Sequence, residues 1–195
     1  VIEADLAEPD SAKKLAAAIL ENTDRVDILV NNAGVGGRQE MGSMNADMLD
    51  WILNVNVRNL ILLTNDLTPA LKAVRGNVVN ISSVSADRGA LGQIPYSTSK
   101  GAVNSFTRNV SLDLGRHGVR INAISPGLVD DGMWKTAFDM GVDREKTMAA
   151  MRDKLPLEGR WASAQDIANA VAWLASDKAG YVTGQVIRID GGLTI

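Results

Sequence analysis

The sequence predicts an α/β fold built on one parallel sheet. Short β-branched apolar runs alternate with helix-period segments along the whole chain. The run Val26–Asn31 is near-continuously apolar, as in a parallel strand buried on both faces. The run Asn77–Ile81 stops abruptly in small polar residues, Ser82-Ser83, and ligands of open α/β sheets bind outside such strand ends. No internal repeat, low-complexity tract or linker divides the 195 residues, so one domain is expected.

Val1–Ala4 reads as a first short strand leading to Asp5-Leu6. Ser11 can cap a helix whose apolar positions include Leu15, Ala16, Ile19 and Leu20. The strand Val26–Asn31 runs into Asn32-Ala33-Gly34. Small residues there let a flat ligand approach the backbone, and an Asn side chain can tie adjacent strands together. A loop over 36–46 precedes a long helical pattern with Met48, Leu49, Ile52, Leu53, Val57, Leu60, Ile61 and Leu63 on a broad apolar face. Asn56 interrupts that face and needs partners wherever it is buried. Pro69 is expected to break or bend the segment.

The strand Asn77–Ile81 and the Ser82-Ser83 pair lead to a loop with Gly89, Gly92 and Pro95. Tyr96-Ser97-Thr98-Ser99-Lys100 then opens a helix that continues through Val103, Phe106, Val110 and Leu114 and ends near Gly115 and Gly118. His117 lies at that end, where a cation is favourable, and is read as structural. Val119–Ile124 is the next strand, followed by Ser125-Pro126-Gly127-Leu128-Val129 and then Asp130-Asp131. The 132–157 segment is Met-rich and helical in places, with Met133, Trp134, Phe138, Met140, Met148 and Met151. A Met stripe is more often core, but methionines also suit adaptable pockets, which leaves a partly apolar substrate open. Ser163 with Asp166 three residues on caps a helix over Ala164–Ser176. Gln185–Ile189 is the last strand, and Asp190-Gly191-Gly192 turns the chain.

The chemistry concentrates between Ser83 and Lys100. Tyr96 and Lys100 are four apart and share one helix face, while Ser83 stands at a strand's carboxyl end. A phenol titrates near pH ~10 when unperturbed, and a neighbouring ammonium lowers that value. Such a tyrosine can exchange a proton with a substrate hydroxyl or carbonyl. A serine hydroxyl can hold the same oxygen by hydrogen bond. The set suits carbonyl/alcohol interconversion. It does not suit nucleophilic hydrolysis, because no base stands beside the serine.

Composition excludes other classes. A net charge of −3 gives no basic patch for nucleic acid. With no cysteine and one histidine, neither a disulfide framework nor a zinc site is expected. No apolar stretch approaches a membrane span and no signal peptide is visible, consistent with a cytoplasmic protein.

Asn31-Asn32-Ala33-Gly34, Asn56 in its NVNV setting, Asn80-Ile81-Ser82-Ser83, Tyr96 through Lys100, Ser125-Pro126-Gly127, and the closing Tyr181-Val182-Thr183-Gly184 and Asp190-Gly191-Gly192 occur in one order over essentially the whole chain. In that order and spacing the chain resembles the short-chain dehydrogenase/reductases, among them 3-oxoacyl carrier-protein reductases and sugar or polyol dehydrogenases. The resemblance implies a Rossmann-type doubly wound sheet, NAD or NADP as cofactor, and an alcohol or ketone substrate. It implies Tyr96 as acid/base, Lys100 as its electrostatic partner and ribose ligand, Ser83 as the orienting hydroxyl, and Asn56 as a fourth catalytic position supporting a proton relay. Asp5 and Leu6 fall where the family contacts adenine. Asn32, Ala33 and Gly34 fall on the cofactor wall, and Pro126, Gly127 and Val129 on the nicotinamide side. Ser85 and Gln93 join Ser83 and Tyr96 as substrate positions, with a lid over 130–158.

Where the family has a Thr, this chain has Asp131. The resemblance also implies a homo-oligomer, dimer or tetramer, with Phe106 and Val110 belonging either to its interface or to the core. No glycine-rich phosphate turn is present, and two preceding β-α repeats, on the order of 60 residues, are expected before Val1. A second reading follows from that expectation: a catalytically silent fragment serving only as a subunit-binding module.

Overall fold

The computed structural model describes all 195 residues. Strands β1 (Ile28–Asn31), β2 (Asn77–Ile81), β3 (Arg120–Pro126) and β4 (Val186–Ile189) form one sheet in the order β1-β2-β3-β4. All three pairings are parallel, so every carboxyl end opens on the same edge. The helices are α1 (Ser11–Asn22), α2 (Ala46–Leu53), α3 (Asn59–Val74), α4 (Ile94–Gly115), α5 (Met133–Asp139), α6 (Arg144–Arg152) and α7 (Ala164–Ala175). The expected α/β parallel architecture is therefore present.

Two cores follow from the period-2 alternation of strand side chains. On one face Leu29, Val78 and Ile121 pack with Ala12 and Ala16 of α1, Leu63, Leu67 and Leu71 of α3, and Leu114 of α4. On the other, Val79 and Ile124 pack with Leu174 of α7. Phe106 and Val110 lie against the first core as partly buried side chains. Helix α7 contacts β2, β3 and β4 but does not cover β1. Ile28 and Val30 on that face of β1 are accordingly half exposed, at 50% and 41%, and the strand is buried on one face rather than both.

Two other expectations are corrected. Val1–Ala4 forms no strand; it is exposed and joins no ladder, and an extended run without a neighbour has nowhere to place its backbone hydrogen bonds. Pro69 does not end its helix, since α3 continues to Val74. The proline removes one donor, while Leu67, Ala70 and Leu71 around it are buried and hold the helix in place. Helix α3 stops instead at Arg75, which adopts a left-handed conformation at φ 55°. At α7 the capping box is complete in both directions, with Ser163 accepting from the Asp166 N–H and Asp166 accepting from the Ser163 N–H.

Candidate active site

On the carboxyl edge of the sheet β1 ends in Asn31, β2 leads into Ser82-Ser83, and β4 leads into Asp190. The tie between strands that the sequence suggested is made by Asn31, whose amide donates to Asn80 Oδ1 (2.8 Å) and Thr64 Oγ1 (3.0 Å). Asn80 in turn donates to Thr107 Oγ1 of α4 at 2.9 Å. These buried bonds lock β1 and β2 to the helix that carries Tyr96 and Lys100, because an unmade bond at any of them would leave a costly buried polar group.

Ser83 follows β2 after Ser82 and is 8% exposed. Its hydroxyl accepts from the Ser85 N–H at 3.1 Å and starts a short turn over Val84–Ala86. Ser85 donates to Gln93 Oε1 at 3.2 Å, so these two substrate candidates hold each other. Gln93 sits at the start of α4, with Pro95 in the first turn, where its missing N–H costs nothing.

Lys100 is 3% exposed and its ammonium donates to the Ile81 carbonyl at 2.7 Å, with the nitrogen 5.8 Å from the centre of the Tyr96 ring. Burial pulls the Lys100 pKa down to about 8. Burial pushes the Tyr96 phenol above its ordinary value, and a hydrogen bond with Ser83 offsets this only in part. This reverses the expected direction. The lysine was expected to lower the phenol; instead the phenol's own burial dominates and holds it neutral.

Asn56 lies in a π turn (Asn54–Arg58) between α2 and α3 and is fully buried. Its side chain accepts from the Val35 N–H (2.8 Å) and donates to the Val35 carbonyl (2.8 Å) and Ser99 Oγ (3.0 Å). Ser99 Oγ donates to the Tyr96 carbonyl at 2.7 Å, so Asn56 reaches the tyrosine's backbone through one hydroxyl. The side chain is fully engaged locally.

The remaining candidates form the rim. Asn32 donates its N–H to the Val30 carbonyl at 3.1 Å, and Ala33 leads to Gly34. A Cβ at Gly34 would stand 3.3 Å from Lys100 Nζ and 3.4 Å from Asn56 Oδ1. The Pro126-Gly127 step passes so close to Asp190 that a Cβ at Gly127 would be 2.8 Å from its Cα. Val129 pairs with Ala162 through its neighbours' groups, leaving its own N–H and C=O without a protein partner. Ser125 Oγ nearby is buried and unpartnered. Asp5 accepts the Ala7 N–H at 2.8 Å in a separate exposed loop, and the Leu6 N–H there has no protein acceptor. Asp131 accepts from the Gly132 N–H at 2.7 Å, and Asp130 pairs with Arg144 of α6.

Met133, at the start of α5, reaches over the site: its sulfur is 3.1 Å from where a Gly36 Cβ would be, and that point is 3.9 Å from the Tyr96 ring. Trp134 and Phe138 behind it pack on Trp161, which is 4% exposed.

A protein-family model described as enoyl-(acyl carrier protein) reductase matches residues 1–194. The chain is 35% identical over 195 residues to a 3-oxoacyl-[acyl-carrier-protein] reductase of Aquifex aeolicus, covering 98% of this chain and 75% of the relative. The chain belongs to the short-chain dehydrogenase/reductase family. It is 33% identical to (+)-borneol dehydrogenase 2 of Salvia officinalis, over 97% of this chain and 70% of that one. Among solved structures, the aldohexose dehydrogenase of Thermoplasma acidophilum superposes with a TM-score of 0.91 at 32% identity, over 99% of this chain and 77% of that one. As a member of this family the chain is an oxidoreductase of the CH–OH/C=O class with a Rossmann-type fold. No helix is long and apolar enough to cross a membrane.

Four residues not singled out from the sequence hold the candidate side chains in place: Val35, Ser99, Asn104 and Thr107. Two of them carried a signal. Lys100, Asn104 and Thr107 recur at i, i+4 and i+7, a polar stripe on the face of α4 that also meets Ser82, whose hydroxyl donates to Asn104 Oδ1 at 2.6 Å. Ser99 and Val35 had no such pattern, since their place is set by contact with Asn56 and, for Ser99, with the Tyr96 carbonyl.

Proposed function

We propose that this chain interconverts a secondary alcohol and a ketone with NAD or NADP, using Tyr96 as acid/base. What supports the reading is the convergence of Tyr96, Ser83 and a buried Lys100 at the open ends of β1 and β2. A nicotinamide cofactor, when bound, supplies or accepts the hydride at carbon.

The protein's own part is proton transfer and placement. In the reducing direction the neutral Tyr96 phenol gives its proton to the substrate oxygen, and burial keeps that proton on the phenol until then. Lys100, with its pKa near 8, stabilises the phenolate left behind. Ser83 holds the substrate oxygen by hydrogen bond. Asn56, whose side chain is occupied, contributes through the main chain of its π turn, which a π turn leaves irregularly bonded.

The groups on the rim fit a flat polar cofactor. Gly34 lacks the Cβ that would crowd Lys100, Val129 offers a free N–H and C=O to a carboxamide, and the Leu6 N–H with the Asp5 carboxylate matches an adenine edge. Met133, over Tyr96, makes the substrate side partly apolar. Association with further copies is part of the proposal, and Leu112 on the outer face of α4, 69% exposed, suits such a contact. The test is titration of the full chain with NADH and NADPH, followed by turnover of Tyr96→Phe on a ketone panel. Saturable binding in both proteins with turnover lost in the variant is the expected result. Wild-type turnover in the variant would sink the tyrosine assignment, and no binding in either would favour a silent module.

A further inference from the structure

Three side chains from one bulge hold a single loop. Around the π turn, Asn54 Nδ2 donates to the Ala7 carbonyl at 2.6 Å and Asn59 Nδ2 donates to the Leu6 carbonyl at 2.7 Å. Asn59 also approaches the Glu8 carbonyl at 3.5 Å, and the Arg58 guanidinium donates to the Pro9 carbonyl. The carbonyls of three of four consecutive residues are thus taken by side chains 47 to 53 positions further along.

The loop has little else to fix it. Asp5, Glu8, Pro9 and Asp10 are exposed, and no strand ladder includes the segment. Its internal bonds are local: Ala7 N–H to Asp5 Oδ1 at 2.8 Å, Glu8 N–H to the Asp5 carbonyl at 3.2 Å, and Ser11 N–H to the Glu8 carbonyl at 3.1 Å. Asn59 is fully buried, so its amide is a fixed anchor and not a mobile surface group. The free Leu6 N–H and the Asp5 carboxylate are therefore aimed by contacts made from the π turn.

We propose that Asn54, Arg58 and Asn59 are positioning residues for the purine end of the cofactor site, setting the conformation in which Asp5 and Leu6 meet an adenine edge. This rests on the cofactor reading given above. The three side chains make no hydrogen bond to Tyr96, Lys100 or Ser83, so their loss weakens purine recognition and spares the nicotinamide end.

The test is calorimetric titration of the full chain and of Asn54→Ala, Arg58→Met and Asn59→Ala with ADP, NADH, NADPH and reduced nicotinamide mononucleotide, with circular dichroism and thermal melting on each variant. The side chains of Asn54 and Arg58 reach solvent, so these two variants keep the question open to refutation if Asn59→Ala does not fold. The expected result is ADP and dinucleotide binding weakened together, about tenfold for loss of one well-placed hydrogen bond, with mononucleotide binding unchanged. Unchanged ADP affinity in folded variants overturns the proposal, as does an equal loss for the mononucleotide, which a merely structural role would give. A wild-type chain that binds neither ADP nor the dinucleotides overturns the cofactor reading itself.

Discussion

Replacing Lys100 by Met separates what this lysine costs the fold from what it does for the chemistry. The ammonium is 3% exposed, and burial brings its pKa from 10.5 down to about 8. A lysine whose pKa is depressed in the folded state binds its proton more tightly when unfolded. The folded state is therefore penalised below pH about 8, and the penalty fades as pH rises from there towards 10.5. A drop from 10.5 to about 8, at about 1.4 kcal/mol per unit, makes the full penalty about 3 kcal/mol. Met keeps the length of the stem and removes the charge, but it leaves the Ile81 carbonyl without the donor now at 2.7 Å, a loss of about 1 kcal/mol. Lys100→Met should therefore be more stable than wild type by about 2 kcal/mol at pH 7 and lose that advantage by pH 10.5. Urea unfolding followed by circular dichroism at pH 7, 8.5 and 10.5 measures the gap. A gap that stays constant across this range would refute the reasoning, since it would mean that Lys100 keeps its proton alike in both states. Turnover should be lost in the variant at every pH, which makes the position one where stability is given up for function.

Three other outcomes follow from the same geometry. Tyr96→Phe should retain its melting temperature and lose at least about 100-fold in turnover, read as cofactor absorbance, because only the proton donor is removed. Asn80→Leu removes one of two hydrogen bonds from Asn31 (2.8 Å) and one of two from Thr107 (2.9 Å), both buried; a loss of about 2–3 kcal/mol in urea unfolding is expected, and a neutral result would mean the pair relaxes to other partners. Gly127→Ala places a Cβ 2.8 Å from the Asp190 backbone, which cannot rotate away, so the β3 and β4 ends must shift; about 1–3 kcal/mol of destabilisation and weakened cofactor binding in calorimetry are the expected signs.

Much of the sheet was legible because strands buried in a parallel sheet leave a plain trace. Asn77–Ile81 is a β-branched run with a sharp polar stop, and it is found where it was read. Val1–Ala4 carries a similar composition yet forms no strand, because a strand exists only through a neighbour and composition names no neighbour. At Pro69 the break that was one of the two expected outcomes does not occur, because Leu67, Ala70 and Leu71 are buried around it and the helix runs on to Val74. The positions of Ser83, Tyr96 and Lys100 were legible because strand end and helical turn fix them locally. Their electrostatics were not. Whether a lysine lowers its neighbour's pKa or loses its own depends on how many atoms exclude water from it, and that is a property of the packed fold.

The buried polar residues give that dependence a structural reason. Seven asparagines are buried here, at 31, 56, 59, 77, 80, 104 and 122, where an apolar core would be the more stable choice. Asn31 and Asn80 tie β1 and β2 to α4, Asn104 takes the Ser82 hydroxyl, and Asn56 reaches Tyr96 through Ser99. Asn77 and Asn122 anchor β2 and β3 to carbonyls of Leu174 and Val182 on the other side of the sheet. A hydrophobic contact tolerates sliding by a fraction of an ångström, whereas a hydrogen bond in a dry interior fails when misdirected. Placing directional bonds at the strand ends therefore fixes Ser83 and the Tyr96–Lys100 helix relative to one another. Lys100 lies among these ties at 3% exposure, and burial of that kind is what lowers its pKa. The depressed lysine, the elevated tyrosine and the asparagine ties are then one device, and loosening Asn80 should raise the Lys100 pKa towards its ordinary value as water reaches it.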